Sequence, residues 1–125
     1  MSKTVLIVDD SSTLRASVSF VLKDSGYNVI EAKDGVDGLE KLEKEKSMGN
    51  KIDMIIVDIN MPRKDGISFI RDVKKTDLKY VPILVLTTES ENAKKMEGKS
   101  AGASGWLVKP FKPEQLLWVV KKFVR

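Results

Sequence analysis

Residues 4–10 read TVLIVDD, and this stretch decides the fold class. Four apolar residues, Val5 to Val8, follow one another without the polar alternation of a strand that has one face in water. Continuous apolar runs of this length are typical of parallel strands covered on both faces. Asp9 and Asp10 end the run, so two acidic side chains follow the predicted strand at its carboxyl end.

The same pattern recurs along the chain and predicts five strands. Met54–Val57 and Ile83–Leu86 are similar apolar runs, and Asn28–Ala32 and Trp106–Val108 are weaker ones. Segments with helical spacing of apolar residues separate the runs, and a last helix follows Pro113. Residues 47–51 are predicted as a loop. Strands that alternate with helices predict an α/β protein: a single doubly wound, five-stranded parallel sheet with five helices.

Residues that favour helix N-caps precede three of the predicted helices. They are Ser11 or Ser12, Asp34 and Asp65, whose side-chain oxygens can accept hydrogen bonds from the first turn.

Composition excludes several classes of function. The 125 residues include no histidine and no cysteine, which excludes disulfide scaffolds, thiolate zinc sites and histidine or cysteine catalysis. Basic residues number 22 and acidic residues 18, a net charge of +4, yet the lysines occur in isolated pairs, so we expect no nucleic-acid partner. The apolar runs are too short for a membrane span. We therefore expect a cytoplasmic protein in which residues 1–125 form one domain with no effector domain.

Acidic side chains follow two of the predicted central strands: Asp9 and Asp10 after the first, and Asp58 after the third. In such sheets, ligands bind at the carboxyl ends of the strands, where the strand order reverses. If the order is 2-1-3-4-5, the three carboxylates converge there. Two carboxylates about 4 Å apart repel by roughly 4 kcal/mol, so three need a cation such as Mg²⁺. Each acid alone could simply cap a helix or end a strand.

A hydroxyl and an ammonium group end the two remaining strands. Thr87 follows the fourth apolar run and Lys109 the fifth. On the same rim as a metal-bound carboxylate, these groups would neutralise a phosphoryl group and donate hydrogen bonds to it. The combination predicts a phosphoryl-transfer site.

These residues lie in motifs that resemble a known family across essentially the whole chain. The motifs are VDD at 8–10, VDINMP at 57–62, LTT at 86–88 and VKPF at 108–111. They resemble the receiver domain of two-component response regulators, and within it the stand-alone, CheY-like chemotaxis regulators. The resemblance implies the flavodoxin-like strand order 2-1-3-4-5.

The resemblance implies that Asp58 accepts a phosphoryl group from a CheA-like histidine kinase in a Mg²⁺-dependent reaction. Asp10 would bind the metal directly and Asp9 mainly through water. The carboxylate of Asp58 and the main-chain carbonyl of Asn60 would complete the protein ligands. Asn60 and Glu89 are the residue types found in CheY-like regulators, which implies rapid hydrolysis of the phosphoryl group.

The switch residues are also implied by the resemblance. Lys109 would contact the phosphoryl oxygens and precede a cis bond to Pro110, Thr87 would turn inward on phosphorylation, and Trp106 would follow it from an exposed to a buried position. The family usually has tyrosine or phenylalanine there, so the larger indole could favour one rotamer.

The last predicted helix has an aromatic residue on its polar side. Trp118 points away from the apolar positions and lies beside Gln115 and Lys122. In the receiver family the fourth helix, fifth strand and fifth helix form the output surface. Trp106, Trp118 and Lys122 are therefore predicted to contact a downstream partner, such as a flagellar switch component or a phosphatase, on a monomeric protein. Alternatively, the Trp118 ring simply covers a lysine side chain.

One enzyme class also uses an aspartate after a strand, the haloacid dehalogenase-like phosphohydrolases, with Asp58 as nucleophile. That class places a second aspartate two residues later as general acid, where this sequence has Asn60. We therefore expect a signalling protein that catalyses only its own phosphorylation and dephosphorylation.

Overall fold

In a computed structural model, which describes residues 2–88 and 92–124, five strands alternate with five helices. The strands are β1 (Thr4–Val8), β2 (Asn28–Ala32), β3 (Met54–Asp58), β4 (Ile83–Thr88) and β5 (Gly105–Lys109). The helices are α1 (Ser12–Asp24), α2 (Gly35–Ser47), α3 (Gly66–Lys74), α4 (Asn92–Ala101) and α5 (Pro113–Phe123). Among the described residues, no helix is long and apolar enough to cross a membrane.

The five strands form one parallel sheet in the order β2-β1-β3-β4-β5. The predicted fold class and strand order are confirmed. The order reverses between β1 and β3, which are neighbours, with Val8 opposite Val57. Consequently the residues that follow Val8 and Val57 emerge side by side at the carboxyl edge of the sheet.

The core consists of two apolar layers, one on each face of the sheet. One layer packs α1 and α5 on the sheet through Val18, Leu22, Leu116 and Val120. The other packs α2 and α3 through residues such as Leu42 and Phe69. All residues from Val5 to Val8 are fully buried, which explains why β1 shows no polar alternation.

Side-chain caps begin three helices where the sequence predicts them. Ser11, Asp34 and Asp65 each accept a hydrogen bond from the backbone N–H three residues later, at Leu14, Asp37 and Ser68. These bonds satisfy helix N–H groups that have no partner within the helix.

Strand and helix ends differ from the apolar runs by one or two residues. Asp58, Thr88 and Lys109 are the last residues of β3, β4 and β5, although the apolar runs stop earlier. The backbone ladder does not depend on side-chain polarity, so it continues into the polar residues. Likewise Ser47 ends α2, and the loop predicted to begin there begins at Met48.

Candidate functional site

Three aspartates meet at the carboxyl ends of β1 and β3. Each of Asp9, Asp10 and Asp58 offers a carboxylate oxygen within 4.8 Å of the others. Asp9 is fully buried and Asp58 is 7% exposed, whereas Asp10 is exposed. The sheet topology produces this cluster, because residues 49 positions apart in sequence lie at the carboxyl ends of adjacent parallel strands.

Lys109 reaches this cluster from the end of β5. Its Nζ lies 3.3 Å from Oδ2 of Asp9 and 3.4 Å from Oδ1 of Asp58, and its side chain is 24% exposed. The ammonium group therefore partly neutralises two buried carboxylates and remains accessible to a ligand in the cleft.

Hydrogen bonds hold Asp9 in place. Its Oδ1 accepts the backbone N–H of Ser11 at 2.8 Å, and Arg15 donates to its main-chain carbonyl. Its own N–H donates to the carbonyl of Ala32 at 3.1 Å, so the residue is tied to the end of β2. The Asp9 side chain is consequently fixed before any ligand binds.

Burial makes the two buried carboxylates more basic. Burial raises the pKa of Asp58 to about 6, with a further contribution from the charge of Asp9, against the lowering effects of Lys109 and the Asn60 N–H. Burial likewise raises the pKa of Asp9, more than the Ser11 hydrogen bond and Lys109 lower it. A cation placed among these oxygens would reverse this cost.

The donor set fits a small divalent cation. Three carboxylates converge with one exposed toward solvent, and Mg²⁺ prefers a few carboxylate oxygens while it keeps several waters. Asn60 is exposed two residues past Asp58, and its N–H donates to the Asp58 carboxylate.

Thr87 and Trp106 lie on the same face of the sheet. Thr87 pairs with Val108 and Val85 with Trp106, so the threonine and the indole are diagonal neighbours on β4 and β5. Thr87 is buried, and its hydroxyl donates to the carbonyl of Thr88 at 3.2 Å. Glu89 lies outside the residues that the structure describes.

The Trp106 ring is already half-buried in this structure, against α4. A Cβ built on Gly98 would lie 2.7 Å from Cζ3 of the indole, so the ring packs directly on the glycine backbone. The indole Nε1 is buried, and no acceptor for its N–H lies within reach in the described part of the chain. The sequence shows that residue 106 is a tryptophan but gives no sign that Gly98 contacts its ring.

Other predicted residues lie where the sequence places them. The Lys109–Pro110 bond is cis. Trp118 is 68% exposed, and Nζ of Lys122 lies 5.5 Å from its ring centroid, so the ring is exposed and also covers a lysine. Met96 of α4 is also exposed.

One contact near the site has no signature in the sequence: Arg63, in the loop after β3, forms an ion pair with Asp34. Sequence alone shows Asp34 only as a helix cap, because an ion pair between residues 29 positions apart has no local pattern.

The sequence model of the response regulator receiver domain matches residues 5–121. The chain belongs to the response regulator receiver domain family. It is 38% identical to the chemotaxis protein CheY-3 of Vibrio cholerae, over 86% of this chain and 80% of that protein. The solved structure of V. cholerae CheY4 superimposes with a TM-score of 0.89 at 45% identity, and covers 99% of this chain and 100% of that one.

Longer relatives also contain this receiver domain. The chain is 36% identical to the transcriptional regulatory protein PhoP of Bacillus subtilis but spans 50% of its length. It spans 15% of the sensor histidine kinase CheAY of Helicobacter pylori, at 38% identity. A receiver domain from Pseudomonas aeruginosa, of the sensor histidine kinase PA1611, was solved with a magnesium ion coordinated in its active site cleft. It has a TM-score of 0.87 and 25% identity, over 98% of both chains.

Proposed function

We propose that this receiver domain accepts a phosphoryl group on Asp58 from a CheA-like histidine kinase and passes the signal to a chemotaxis partner. The contact of Lys109 with both Asp9 and Asp58 carries the proposal, because a cation that can bind phosphoryl oxygens lies beside the carboxylate that ends β3. Family membership and the CheY relatives support the same function.

The Asp58 carboxylate acts as the nucleophile. One of its oxygens forms a bond to phosphorus as the bond from phosphorus to the kinase histidine nitrogen breaks, and that nitrogen keeps the electron pair. Its pKa of about 6 leaves the carboxylate largely ionised at neutral pH, so that it can attack phosphorus directly. The chain needs no histidine of its own for this reaction.

Asp9, Asp10, Asp58 and the main chain of Asn60 are the residues that would hold Mg²⁺. When bound, the metal supplies charge neutralisation for the phosphoryl oxygens. Lys109 supplies the second positive charge from the β5 side, and Thr87 a hydroxyl donor. Asn60 and Glu89 tune hydrolysis of the product. The chain catalyses only its own phosphorylation and dephosphorylation.

The phosphoryl group acts as a switch through new hydrogen bonds. It adds up to about two negative charges, which Lys109 and Thr87 would meet. Reversing a 1:99 equilibrium to 99:1 takes about 5.5 kcal/mol, a value that a few charge-assisted bonds can supply in a partly dry site. Trp106 couples this change to the surface of α4, β5 and α5, where Trp118 and Lys122 contact a flagellar switch component or a phosphatase. The protein acts as a monomer, without nucleic acid or membrane insertion.

Phosphorylation by a small acyl phosphate tests the acceptor. Acetyl phosphate with Mg²⁺ should add one phosphoryl group to the native chain, measured by intact mass, and none when EDTA replaces Mg²⁺. Asp58→Asn should abolish the addition because it removes the nucleophile. Stoichiometric labelling of that variant at the native rate would refute the assignment of Asp58.

The role of Lys109 requires a separate variant. Lys109→Ala should still be labelled, since Asp58 and the metal ligands remain, but the tryptophan fluorescence change that accompanies labelling should be lost. A labelled variant with the full native fluorescence change would show that Lys109 does not transmit the signal.

A further inference from the structure

The loop that joins β3 to α3, residues 59–65, follows the acceptor Asp58 directly and contains Asn60. Hydrogen bonds fix its two ends: the N–H of Ile59 donates to the carbonyl of Leu86 at 3.2 Å, and that of Gly66 to the carbonyl of Ile59 at 3.0 Å. Gly66 also packs closely against Asp58, because a Cβ on residue 66 would lie 2.3 Å from the Asp58 carbonyl oxygen. Between these ends, the Asn60 N–H donates to the Asp58 carboxylate, and the Lys64 N–H donates to the Pro62 carbonyl at 2.7 Å. Neither of these two bonds ties the loop to a neighbouring element on the α2 side of the sheet.

Arg63 supplies a restraint from the middle of the loop. Its Nε lies 2.7 Å from Oδ2 of Asp34 and its Nη2 3.0 Å from Oδ1, the two-pronged geometry that arginine forms with a carboxylate. The Asp34 side chain is only 5% exposed, whereas that of Arg63 is 51% exposed. A buried carboxylate thus holds a largely exposed guanidinium.

The position of Asp34 is fixed independently of Arg63. Its Oδ1 caps α2 through the N–H of Asp37 at 2.8 Å. The next residue, Gly35, lies so close to the loop that a Cβ there would be 2.6 Å from the Lys64 carbonyl oxygen. The loop is therefore held against the start of α2 at two adjacent points.

The backbone of Arg63 has a conformation that arginine rarely adopts. Its φ is +64°, and it is the only non-glycine residue with a positive φ among those the structure describes. Glycine would adopt this conformation more readily. Such local strain persists where surrounding contacts hold it, and here the ion pair to Asp34 does so.

We propose that Arg63 is a positioning residue for the metal and phosphoryl site, and that its ion pair with Asp34 holds the Asn60 main chain where it can contribute to Mg²⁺ binding. This inference rests on the proposed function. Without the ion pair, residues 60–64 sample other conformations. Mg²⁺ binding is then weaker, because it includes the entropy cost of ordering the loop. The three carboxylates, including that of the acceptor Asp58, are still present.

Two substitutions remove the ion pair while they retain the local backbone. Asp34→Asn keeps an oxygen that can cap α2 but loses the charge. Arg63→Gly keeps the positive φ but loses the guanidinium. Through long-range electrostatics alone, these changes would act in opposite directions: removal of an acid weakens cation binding, and removal of a base strengthens it. The positioning role predicts that both weaken it.

The experiment is Mg²⁺ titration by isothermal calorimetry of the full, unphosphorylated chain, with circular dichroism to confirm folding. We expect each variant to raise the Mg²⁺ dissociation constant about tenfold, the lower end of what loss of an outer partner costs a metal site. The double variant should be no weaker than the worse single variant, because both remove one interaction. Asp77→Asn, which breaks the exposed Lys46–Asp77 pair, is the matched control and should leave the constant unchanged.

An unchanged Mg²⁺ constant in Asp34→Asn and Arg63→Gly, or tighter binding by Arg63→Gly, would overturn the positioning role even if both variants melt at lower temperature. An equal loss in Asp77→Asn would also overturn it. In either case, Mg²⁺ binding and Asp58 labelling of the native chain would leave the proposed function intact. If the native chain itself bound no Mg²⁺, the proposed function would fail.

Discussion

Asp58 is a buried carboxylate beside a second buried carboxylate, Asp9. Burial raises the pKa of both, so their ionised forms are costly in the folded protein. A cation beside such carboxylates stabilises their ionised forms, so the cost of burying them favours cation binding. Function at this site is therefore obtained at some cost in stability.

Asp58→Asn should stabilise the protein at neutral pH in EDTA, by about 2 kcal/mol, since the charged form is the costly one. The pKa of Asp58 is about 6 in the folded state and near 3.8 as a free group. Protonation of Asp58 therefore stabilises the folded native chain. This stabilisation is fully present below about pH 4 and is lost as the pH rises through about 6. Chemical denaturation at several pH values should show the advantage of the variant shrink as pH falls through this window.

The control for that series is Glu43→Gln, an exposed acid in the middle of α2. Because the Glu43 side chain is exposed, this substitution should change the free energy of unfolding by only about 0.5 kcal/mol or less. The raised pKa would be contradicted if Asp58→Asn were no more stable than the native protein at pH 7.5. It would also be contradicted if the variant exceeded the native free energy of unfolding by the same amount at pH 4.

At the scale of elements, α4 and β5 are joined by the contact between Gly98 and Trp106. The absence of a side chain at Gly98 gives the indole its space. The indole nitrogen is buried without an acceptor among the described residues, which makes this position of the ring costly. This cost lowers the free energy needed to move the ring away from α4.

Gly98→Ala should change the position of the Trp106 ring. The new methyl group would lie 2.7 Å from Cζ3 of the indole, so either the ring or α4 must move. We expect a red-shifted Trp106 emission, measured in a Trp118→Phe background, and a destabilisation of about 1 kcal/mol or more.

The sign of the Gly98 effect should reverse when the indole is absent. In a Trp106→Ala background, Gly98→Ala should stabilise the protein by about 1 kcal/mol, because alanine is the better helix residue and no ring opposes it. Destabilisation in both backgrounds would show that the indole contact is not the cause.

On the scale of the whole molecule, the aspartate cluster and the exposed Trp118 lie in different regions joined by the sheet. Asp58 and Lys109 end strands at the carboxyl edge, whereas Trp118 lies on the outer side of α5. Trp118 contributes little to the core, since 68% of it is exposed and Nζ of Lys122 lies over its ring. A large exposed aromatic residue suits a partner contact better than a role in stability.

Trp118→Ala should therefore weaken binding of the phosphorylated protein to its downstream target by about 2 kcal/mol, while the melting temperature changes little. Fluorescence anisotropy of the labelled target measures the affinity. Phe20→Ala on α1, where the ring is 72% exposed, is the matched control and should leave target affinity unchanged. Equal affinities of native protein and Trp118→Ala would remove Trp118 from the output surface.

The sequence by itself determined the fold class and the identity of the main polar groups. Unbroken apolar runs require strands covered on both faces, and acids directly after them must lie at the carboxyl edge of a parallel sheet. Asp9, Asp10, Asp58 and Lys109 could be predicted in this way because strand ends are local features. The roles assigned to the individual residues remain predictions until the variants are measured.

Only the tertiary structure decided which distant groups touch. The Arg63–Asp34 ion pair, the approach of Lys109 to two carboxylates and the contact of Gly98 with Trp106 join residues from separate elements. Such contacts depend on the length of the side chains and on how the elements pack together. Neither property produces a periodic pattern along the sequence. The raised pKa of Asp58 depends on the same three-dimensional burial and on the nearby charge of Asp9.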